Sequence, residues 1–352
     1  MNGARESGLR MKKGLTLKDI AGKLRMSVST VSKALSNDAS ISAATKERVK
    51  KLADEWHYIP NEAARNFKQN KTFTLGLIIP DLLDQFYVLA INGVEKIAAQ
   101  KKYNVIISQS HEDVAQEKQI VDTMMRNRVD GVIVAISKHT TDMSCFRKLV
   151  NTGIPVVFFA RAPTEDLFNY VSSKNEDGTL KAMNFLFGKG HTRIGHLMGP
   201  SAMPVTHIRL KGYKKALQKN GLPYEASLVK ATDFTTHSTY EAMKALMSLP
   251  FPPTALFVFK NYVSLDVIRY LQKNHPEALE QMDIVGFGNL PLFQFLNHKP
   301  AASIDENSYT MGIEAARLIF QQIESGQPAS EERGRHITVA CKLVIHERNE
   351  GR

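Results

Sequence analysis

Apolar residues near the start of the chain recur at helical spacing in two neighbouring stretches. Within each stretch they fall three or four positions apart, so they share one face of a short amphipathic helix. Ser27, between the stretches, can cap the second helix by accepting a hydrogen bond from a backbone amide of its first turn. This pattern predicts a helix-turn-helix. The inward positions are Leu17, Ile20, Ala21 and Leu24 in the first helix and Val31, Ala34 and Leu35 in the second.

The outward face of the second helix is small and polar. It carries Val28, Ser29, Ser32 and Lys33. A helix with such a face can lie in the major groove of DNA, where base edges and phosphates are within reach of short side chains.

A third helix is predicted from Ser42, its candidate cap, to about Trp56. Val49, Leu52 and Ala53 share one face of this helix, and Trp56 is expected to pack with them. Three short helices can enclose one small core. We therefore expect an all-α head over residues 15–59, preceded by a disordered segment, residues 1–14, and followed by a hinge helix or linker, residues 60–71.

From residue 72 the pattern changes to short, continuous apolar runs that alternate with helical periodicity. Strand, helix and strand joined by short connections are typical of right-handed crossovers and a parallel sheet buried on both faces. The alternation resumes after about Ala162, so we expect two similar α/β lobes, doubly wound, within residues 72–352. Lobe 1 is expected to span about 72–161 and 305–335, and lobe 2 about 162–304 and 336–352. Ligands of such sheets bind beyond the carboxyl ends of the strands, which favours a small-molecule site between the lobes.

Charge separates the head from the rest of the chain. Residues 1–71 contain 15 Lys and Arg against 7 Asp and Glu, whereas the whole chain has a net charge of +11, so the remaining residues contribute only about +3. A basic excess confined to the head is the electrostatic footprint of a nucleic-acid-binding unit, and a solvated basic surface is the alternative.

The rest of the composition predicts a cytoplasmic protein. The two cysteines, Cys145 and Cys341, are too few for a disulfide framework and lack the spacing of a metal site. The N-terminus has basic residues but no apolar run behind them, and no other stretch approaches the length of a membrane span. We expect no cofactor and no metal.

With the head, hinge and doubled α/β body in place, the chain resembles the lactose-repressor (LacI/GalR) family of bacterial transcription regulators from Leu15 to about Ile345. The resemblance implies lobes of periplasmic-binding-protein type and a homodimer that binds a pseudo-palindromic double-stranded DNA operator in the nucleoid. It also implies a small ligand, often a sugar or nucleobase, between the lobes. The motifs that carry it are TLKDIA (Thr16–Ala21), STVSKALS (Ser29–Ser36), YIPNEAAR (Tyr58–Arg65), GLIIPD (Gly76–Asp81), DGVIV (Asp130–Val134), KGHTRIGHLMGP (Lys189–Pro200), RLKGYKKAL (Arg209–Leu217) and IVGFG (Ile284–Gly288).

The resemblance also assigns DNA-binding positions. Val28, Ser29 and Lys33 would read bases, and Lys33 stands where most members have arginine, whose fork an ammonium group cannot reproduce. In the hinge, Phe67 replaces the usual leucine wedge. The full set is Thr16, Leu17, Ser27, Val28, Ser29, Thr30, Ser32, Lys33, Ser36, Asn61, Ala64, Arg65, Phe67 and Lys68.

The ligand cleft departs further from the family's sugar binders. Ala160 and Gly288 replace aspartates, and Lys174 and Lys260 replace polar residues that usually hold sugar hydroxyls. A cleft rich in cations and poor in acids would prefer an anionic ligand such as a sugar phosphate or sugar acid. The alternative is that the lysines face solvent and the cleft is degenerate. The expected effector-binding residues are Phe86, Tyr87, Arg161, Lys174, Arg209, Lys260 and Asn261.

The sequence favours a ligand-responsive, sequence-specific regulator, more plausibly a repressor than an activator, of carbohydrate genes. One alternative is a DNA-binding regulator controlled by a protein co-regulator or a non-sugar effector. A sugar-binding protein would need export, and an enzyme would be expected to show a motif such as G-x-S-x-G, H-E-x-x-H or a P-loop, which the chain lacks. We therefore predict no catalytic residues.

Overall fold

Three short helices form the N-terminal unit. The computed structural model describes residues 15–58, 71–325 and 334–347. Contacts divide the chain into one unit that ends at Asn70 and a second that begins at Lys71. The predicted disordered segment 1–14 and the hinge residues Asn61, Ala64, Arg65, Phe67 and Lys68 lie outside the described residues. The helices of the first unit are α1 (Leu17–Leu24), α2 (Val28–Leu35) and α3 (Ala43–Glu55).

The core of this head consists of the faces that the sequence predicts. Ile20, Val31 and Val49 are fully buried, one from each helix, and Trp56 packs against this cluster as expected. The caps are also confirmed, because the Ser27 hydroxyl accepts from the Thr30 amide at 3.0 Å and the Ser42 hydroxyl from the Thr45 amide at 3.3 Å. Each cap satisfies an amide that has no partner inside its own helix.

The second unit contains two six-stranded sheets. The strands of the first sheet run in the order β11-β5-β4-β3-β1-β2, and those of the second in the order β12-β10-β9-β8-β6-β7. The strands are β1 (Thr74–Ile79), β2 (Asn104–Gln109), β3 (Gly131–Val134), β4 (Val156–Phe159), β5 (Asn169–Ser173), β6 (Ile194–Met198), β7 (Val229–Ala231), β8 (Ala255–Val258), β9 (Asp283–Phe287), β10 (Ala302–Asp305), β11 (His336–Val339) and β12 (Lys342–Ile345).

Helices connect successive strands and cover the sheets. Among the described residues, the most extensive contact between two helices joins Gln85–Gln100 to Ser308–Ser325. Gly93 and Gly312 permit it, because a Cβ at either position would lie within 2.2 Å of the backbone of the other helix. The helices are α4 (Gln85–Gln100), α5 (Val114–Arg126), α6 (Ser144–Asn151), α7 (Asn175–Gly188), α8 (Pro204–Lys219), α9 (Thr236–Met247), α10 (Asn261–Asn274), α11 (Pro276–Gln281) and α12 (Ser308–Ser325), with 3₁₀ turns at Ala226–Leu228 and Pro291–Phe295.

The apolar runs of the sequence become the central strands of both sheets. All six residues from Leu75 to Pro80 are buried, as are all four of β3, β4 and β8. The neighbouring strands of lobe 1 are parallel throughout, whereas β12 pairs with β10 in the antiparallel sense. Two doubly wound α/β lobes are therefore present, with one antiparallel edge that the sequence did not reveal.

The boundaries between the lobes differ from those expected. Strands β5 and β11 belong to the first sheet, and the helix Ser308–Ser325 packs on that sheet. The chain therefore changes lobe at Lys174, between Asp305 and Ser308, and again between Val339 and Lys342. The expected changes were near residues 162 and 336. Strand β5, with the sequence NYVSS, has no continuous apolar run, and the extended stretch Ile337–Ile345 is divided between the two sheets.

Among the helices of the described residues, none is both long enough and apolar enough to cross a bilayer.

Candidate nucleic-acid interface and effector cleft

Helix α2 presents a polar face opposite its buried side. Val31 and Ala34 are buried in the head core, while Val28, Ser29 and Lys33 are exposed on the other side of the helix. Val28 is 40% exposed. The three positions expected to read bases therefore share one accessible face.

Hydroxyl groups at both ends of α2 form hydrogen bonds with groups of the same helix or its caps. The hydroxyls of Ser27 and Thr30 lie 2.8 Å apart, and the Ser36 hydroxyl donates to the Lys33 carbonyl at 3.1 Å. Ser32 is half-buried. These groups stabilise the two ends of α2, and the Ser27–Thr30 pair leaves one hydroxyl proton free to donate to a phosphate oxygen.

The first expected contact residues belong to the start of α1. Both the amide and the hydroxyl of Thr16 donate to the Asp19 carboxylate, at 2.8 and 2.7 Å. These bonds hold the pKa of Asp19 below its ordinary value. Leu17 is half-buried against the head core. In this structure both residues serve the fold of α1.

The cleft between the lobes is narrow and crossed by polar contacts. Its walls come from the carboxyl ends of strands in both sheets and from the first turns of α4, α8 and α10. Its volume is about 90 Å³, below the usual 300–1,000 Å³ or so of ligand pockets. In this arrangement of the lobes the cleft has room for water but not for a sugar ring.

Arg209, on α8, lies at the centre of the cleft. Its guanidinium donates to Glu306 at 2.7 Å, to the Asn175 side-chain oxygen at 2.8 and 3.0 Å, and to the Phe259 carbonyl at 2.5 Å. The same group lies 3.5 Å from the ring centre of Phe287. Burial raises the pKa of Glu306, and the neighbouring Arg209 opposes that rise.

Lys260 crosses the cleft from lobe 2 to lobe 1. Its ammonium donates to the Asp84 carboxylate at 2.9 Å, and the two side chains are 27% and 19% exposed. Asp84 also caps α4 by accepting from the Phe86 amide at 3.1 Å. Beside this pair the Tyr262 hydroxyl donates to the Leu83 carbonyl at 2.8 Å. We call these two contacts, Lys260 with Asp84 and Tyr262 with Leu83, the interlobe latch.

Arg161 is held within lobe 1. Its two terminal nitrogens donate to the two oxygens of Glu112 at 2.7 and 2.8 Å, and one of them also donates to the Ile136 carbonyl at 2.7 Å. Burial opposes ionisation of Glu112, but the bonds from Arg161 outweigh it and hold the pKa of Glu112 below its ordinary value.

The remaining expected effector residues are distributed unevenly. Tyr87 is buried and packs edge-on against Phe86, with ring centres 5.2 Å apart, and both line the cleft together with Asn261. Burial raises the pKa of Tyr87. Lys174 does not line the cleft and is exposed at the first lobe crossing.

The expectation that the cleft is poor in acids is wrong. Arg209, Lys260 and Arg161 are each paired with a carboxylate, and none of these acids belongs to the motifs compared above. Two of them were missed because each lies far along the chain from its cation: Asp84 is 176 positions from Lys260, and Glu306 is 97 positions from Arg209. A signal was available for Asp84, since an aspartate that follows a buried strand and precedes a helix is a typical N-cap.

Gly288 explains one departure from the family pattern. Its φ is +90°, and a Cβ there would lie 2.5 Å from the Asn261 amide nitrogen. The Asn261 side chain therefore occupies the space that an aspartate at this position would need.

Two family models cover this chain. Residues 16–61 match the model for bacterial regulatory proteins of the lacI family, and residues 72–347 match that for periplasmic binding proteins and the sugar-binding domain of the LacI family. The chain belongs to the LacI family. It is thus a DNA-binding transcriptional regulator and not an enzyme.

Related proteins align with nearly the whole length of this chain. The HTH-type transcriptional repressor CytR of Escherichia coli K12 is 33% identical over 94% of this chain and 95% of its own length. The cellobiose complex of the transcriptional regulator CelR is 25% identical, with a TM-score of 0.68 over 94% of this chain and 98% of that chain. The Lac repressor dimer bound to operator and the anti-inducer ONPF has a TM-score of 0.80 at 21% identity, over 94% and 98% of the two chains, and shows the shared fold.

Family membership confirms the helix-turn-helix and the two-lobed effector-binding type of body for this LacI-family regulator. The individual DNA-contacting and effector-contacting residues remain predictions. Within the described residues, no group of His, Cys, Asp and Glu side chains is arranged to hold a metal ion.

Proposed function

We propose that this protein is a homodimeric, effector-responsive repressor of carbohydrate-utilisation genes. It acts in the bacterial cytoplasm, at operator sites in the nucleoid. The relatives named above support the proposal, because one is a repressor and another is solved with a disaccharide. The observation that carries the regulatory part is the interlobe latch, which joins the two lobes across the cleft through Lys260 and Asp84.

The effector competes with the contacts that cross the cleft. A ligand rich in hydroxyl groups can donate to the carboxylates of Asp84 and Glu306 and accept from Lys260 and Arg209. Binding then exchanges lobe-to-lobe contacts for ligand contacts and changes the relative stability of two lobe arrangements. The paired carboxylates favour a neutral sugar over the anionic sugar derivative that a cation-rich cleft would take.

DNA recognition is assigned to the exposed face of α2. Val28, Ser29 and Lys33 read base edges in the major groove, while the hydroxyls near the ends of α2 position the helix on phosphates. The basic excess of the head provides the salt-dependent part of the affinity.

Exposed apolar side chains on lobe 2 support a homodimer. Phe295 and Leu292 are 76% and 50% exposed in the 3₁₀ turn Pro291–Phe295, and this turn contacts His346 just after β12. Replacement of Phe295 by Asp is expected to shift the sedimentation coefficient toward that of a monomer. An unchanged coefficient would place the dimer interface elsewhere.

Operator binding by fluorescence anisotropy tests the function directly. Duplexes from the gene's own upstream region are titrated at fixed salt, with and without neutral sugars and their phosphates. Lys33→Ala is expected to weaken specific operator binding by about tenfold or more. Lys50→Ala removes an equal charge from an exposed position on α3 and is expected to leave the preference for operator over non-operator DNA unchanged. A sugar that shifts the curve supports the effector cleft.

The small volume of the cleft favours a second candidate, a regulator controlled by a protein partner. Specific DNA binding that no sugar shifts would support that candidate and contradict the sugar-responsive proposal. Loss of specificity in neither lysine variant would contradict the assignment of α2.

A further inference from the structure

A second and larger cavity lies beside the effector cleft. Its volume is about 590 Å³, within the usual range of ligand pockets. The loop after β3, the edge formed by β5 and β11, and the first turns of α7 and α8 enclose it. We call it the lateral cavity. Arg161, bound to Glu112, is one of six residues that line both spaces, and the lateral cavity is the larger of the two.

The walls of the lateral cavity offer an apolar and partly aromatic surface. The rings of Tyr170 and His336 stack with centres 4.6 Å apart and planes inclined by 20°, and Ser172 holds the imidazole through a 2.9 Å hydrogen bond. Ile208, on α8, is 43% exposed although it lines this concave surface. Such walls favour a ligand with an apolar body.

The acids of the cavity wall are already paired with cations. Glu176 forms an ion pair with Lys215, and Asp177 forms one with Lys181 at 2.7 Å. Glu112 does not line the cavity, but it interacts electrostatically with the lining residue Lys138 and is itself held by both terminal nitrogens of Arg161. These carboxylates therefore contribute little uncompensated negative charge.

Two lysines of the same wall form no direct contact with a carboxylate, although Lys138 interacts with Glu112 electrostatically over a longer distance. Within the part of the chain that the structure describes, the ammonium groups of Lys138 and Lys174 form no hydrogen bond and no ion pair. Lys138 is half-buried, which limits its access to bulk water, and Lys174 is exposed at the lobe crossing. The lateral cavity therefore combines apolar walls with unpaired positive charge.

We propose that the lateral cavity binds an organic anion with an apolar body and a carboxylate or phosphate head. The head pairs with Lys138 and Lys174, and the body packs on the surface formed by Tyr170, His336 and Ile208. The lateral cavity adjoins the sugar site assigned above and shares part of its lining, but the five residues proposed to bind the anion line the lateral cavity and not the cleft.

Calorimetry with matched probes tests the proposal on the full-length protein. The probes are 1-naphthoate, 1-naphthyl phosphate and the neutral, similarly shaped 1-naphthylmethanol. At low salt at least one of the two anions is expected to bind about tenfold or more tightly than the alcohol, and its advantage falls as salt is raised. Equal affinity for all three probes would overturn the proposal.

Variants locate the binding. Lys138→Gln and Lys174→Gln are each expected to weaken anion binding about fivefold, and Lys244→Gln, an exposed lysine of α9, leaves it unchanged. Ile208→Trp fills the cavity and is expected to abolish binding of every probe. Anion binding that survives both the double lysine replacement and Ile208→Trp would refute the site, whatever the operator assay shows.

Discussion

The two lobes wind their strands in the same order, yet they contribute opposite charges to the cleft. Lobe 1 supplies the carboxylate of Asp84, and lobe 2 supplies the cations of Arg209 and Lys260. Lobe 1 also places Arg161 in the cleft, but Glu112 of the same lobe neutralises it. Glu306, in the second lobe crossing, completes the pairing with Arg209. The comparison teaches that a shared topology sets where side chains can meet, while the chemistry at the meeting point is chosen separately in each lobe.

The lobes also differ in how they treat buried polar groups. In lobe 1, Glu117 is fully buried and accepts hydrogen bonds from the Ser137 amide and hydroxyl and from the Thr140 hydroxyl, at 2.6 to 2.9 Å. In lobe 2, His196 is fully buried between Tyr213 and Phe257, and its Nδ1 lies 3.0 Å from the Phe257 carbonyl. Lobe 1 thus buries a carboxyl group surrounded by hydrogen-bond donors, and lobe 2 buries an imidazole that stacks between aromatic rings.

The largest expected effect is at Arg209. Arg209→Met leaves the buried Glu306 without its cation and should lower the free energy of unfolding by about 3–5 kcal/mol, measured by urea denaturation. Arg161→Met, its counterpart in lobe 1, should cost less, because Glu112 is more exposed and keeps its bond from the Lys138 amide. Equal losses would show that the two lobes bury their ion pairs alike.

The second effect is a pH dependence of stability that arises at His196 in lobe 2. Burial lowers the pKa of His196 to about 4 from an ordinary 6.5, so between these values the unfolded chain binds a proton that the folded chain refuses. The stabilisation is fully present above pH 6.5 and is lost as pH falls toward 4, by on the order of 3 kcal/mol.

Unfolding free energies measured from pH 7.5 to 4 check this slope. His196→Phe should flatten it, and His237→Gln, at an exposed histidine, should leave it unchanged. A slope that persists in His196→Phe would assign it to other groups.

A smaller effect is expected at the buried carboxylate of lobe 1. Glu117→Gln keeps an oxygen for Ser137 but turns an amide donor toward Thr140, whose hydroxyl can rotate to accept. The expected loss of stability is about 1–2 kcal/mol. Thermal unfolding compared with Glu95→Gln, at an exposed glutamate of α4, measures it, and equal behaviour of the two variants would contradict the role of Glu117 in holding the loop after β3.

The smallest effect is at the interlobe latch. Lys260→Met removes a partly exposed ion pair, so the balance between lobe arrangements should shift by up to about 1 kcal/mol, or about fivefold. Small-angle scattering should show a larger mean radius of gyration than in Lys244→Met. A radius that does not change would mean that the other cleft contacts, chiefly those of Arg209, hold the lobes together alone.

Much of the architecture could be predicted from local patterns. The inward faces of α1, α2 and α3, the caps Ser27 and Ser42, and the buried central strands follow from side-chain periodicity, because burial of apolar surface dominates folding. Strand β5 was not predicted, because it is short and mostly polar and so has no continuous apolar run. Strand β7 has three residues and no buried run, so its sequence carries little signal.

The cleft could be predicted only in part. Phe86, Tyr87, Arg161, Arg209, Lys260 and Asn261 were expected around one site, and all six line the cleft. Their partners were not foreseen, since Lys260 and Asp84 are 176 positions apart and Arg209 and Glu306 are 97 apart. A short stretch of sequence cannot show which of these distant residues pair in the folded protein.

The sequence by itself determined the helix-turn-helix, the doubled α/β body and the LacI family, because each depends on periodic apolar positions and short motifs. Only the tertiary structure decided which charges are neutralised, where the chain changes lobe and which lysines stay unpaired. The physical reason is that electrostatic pairing depends on distance in space, and three chain crossings bring together groups that are far apart along the sequence.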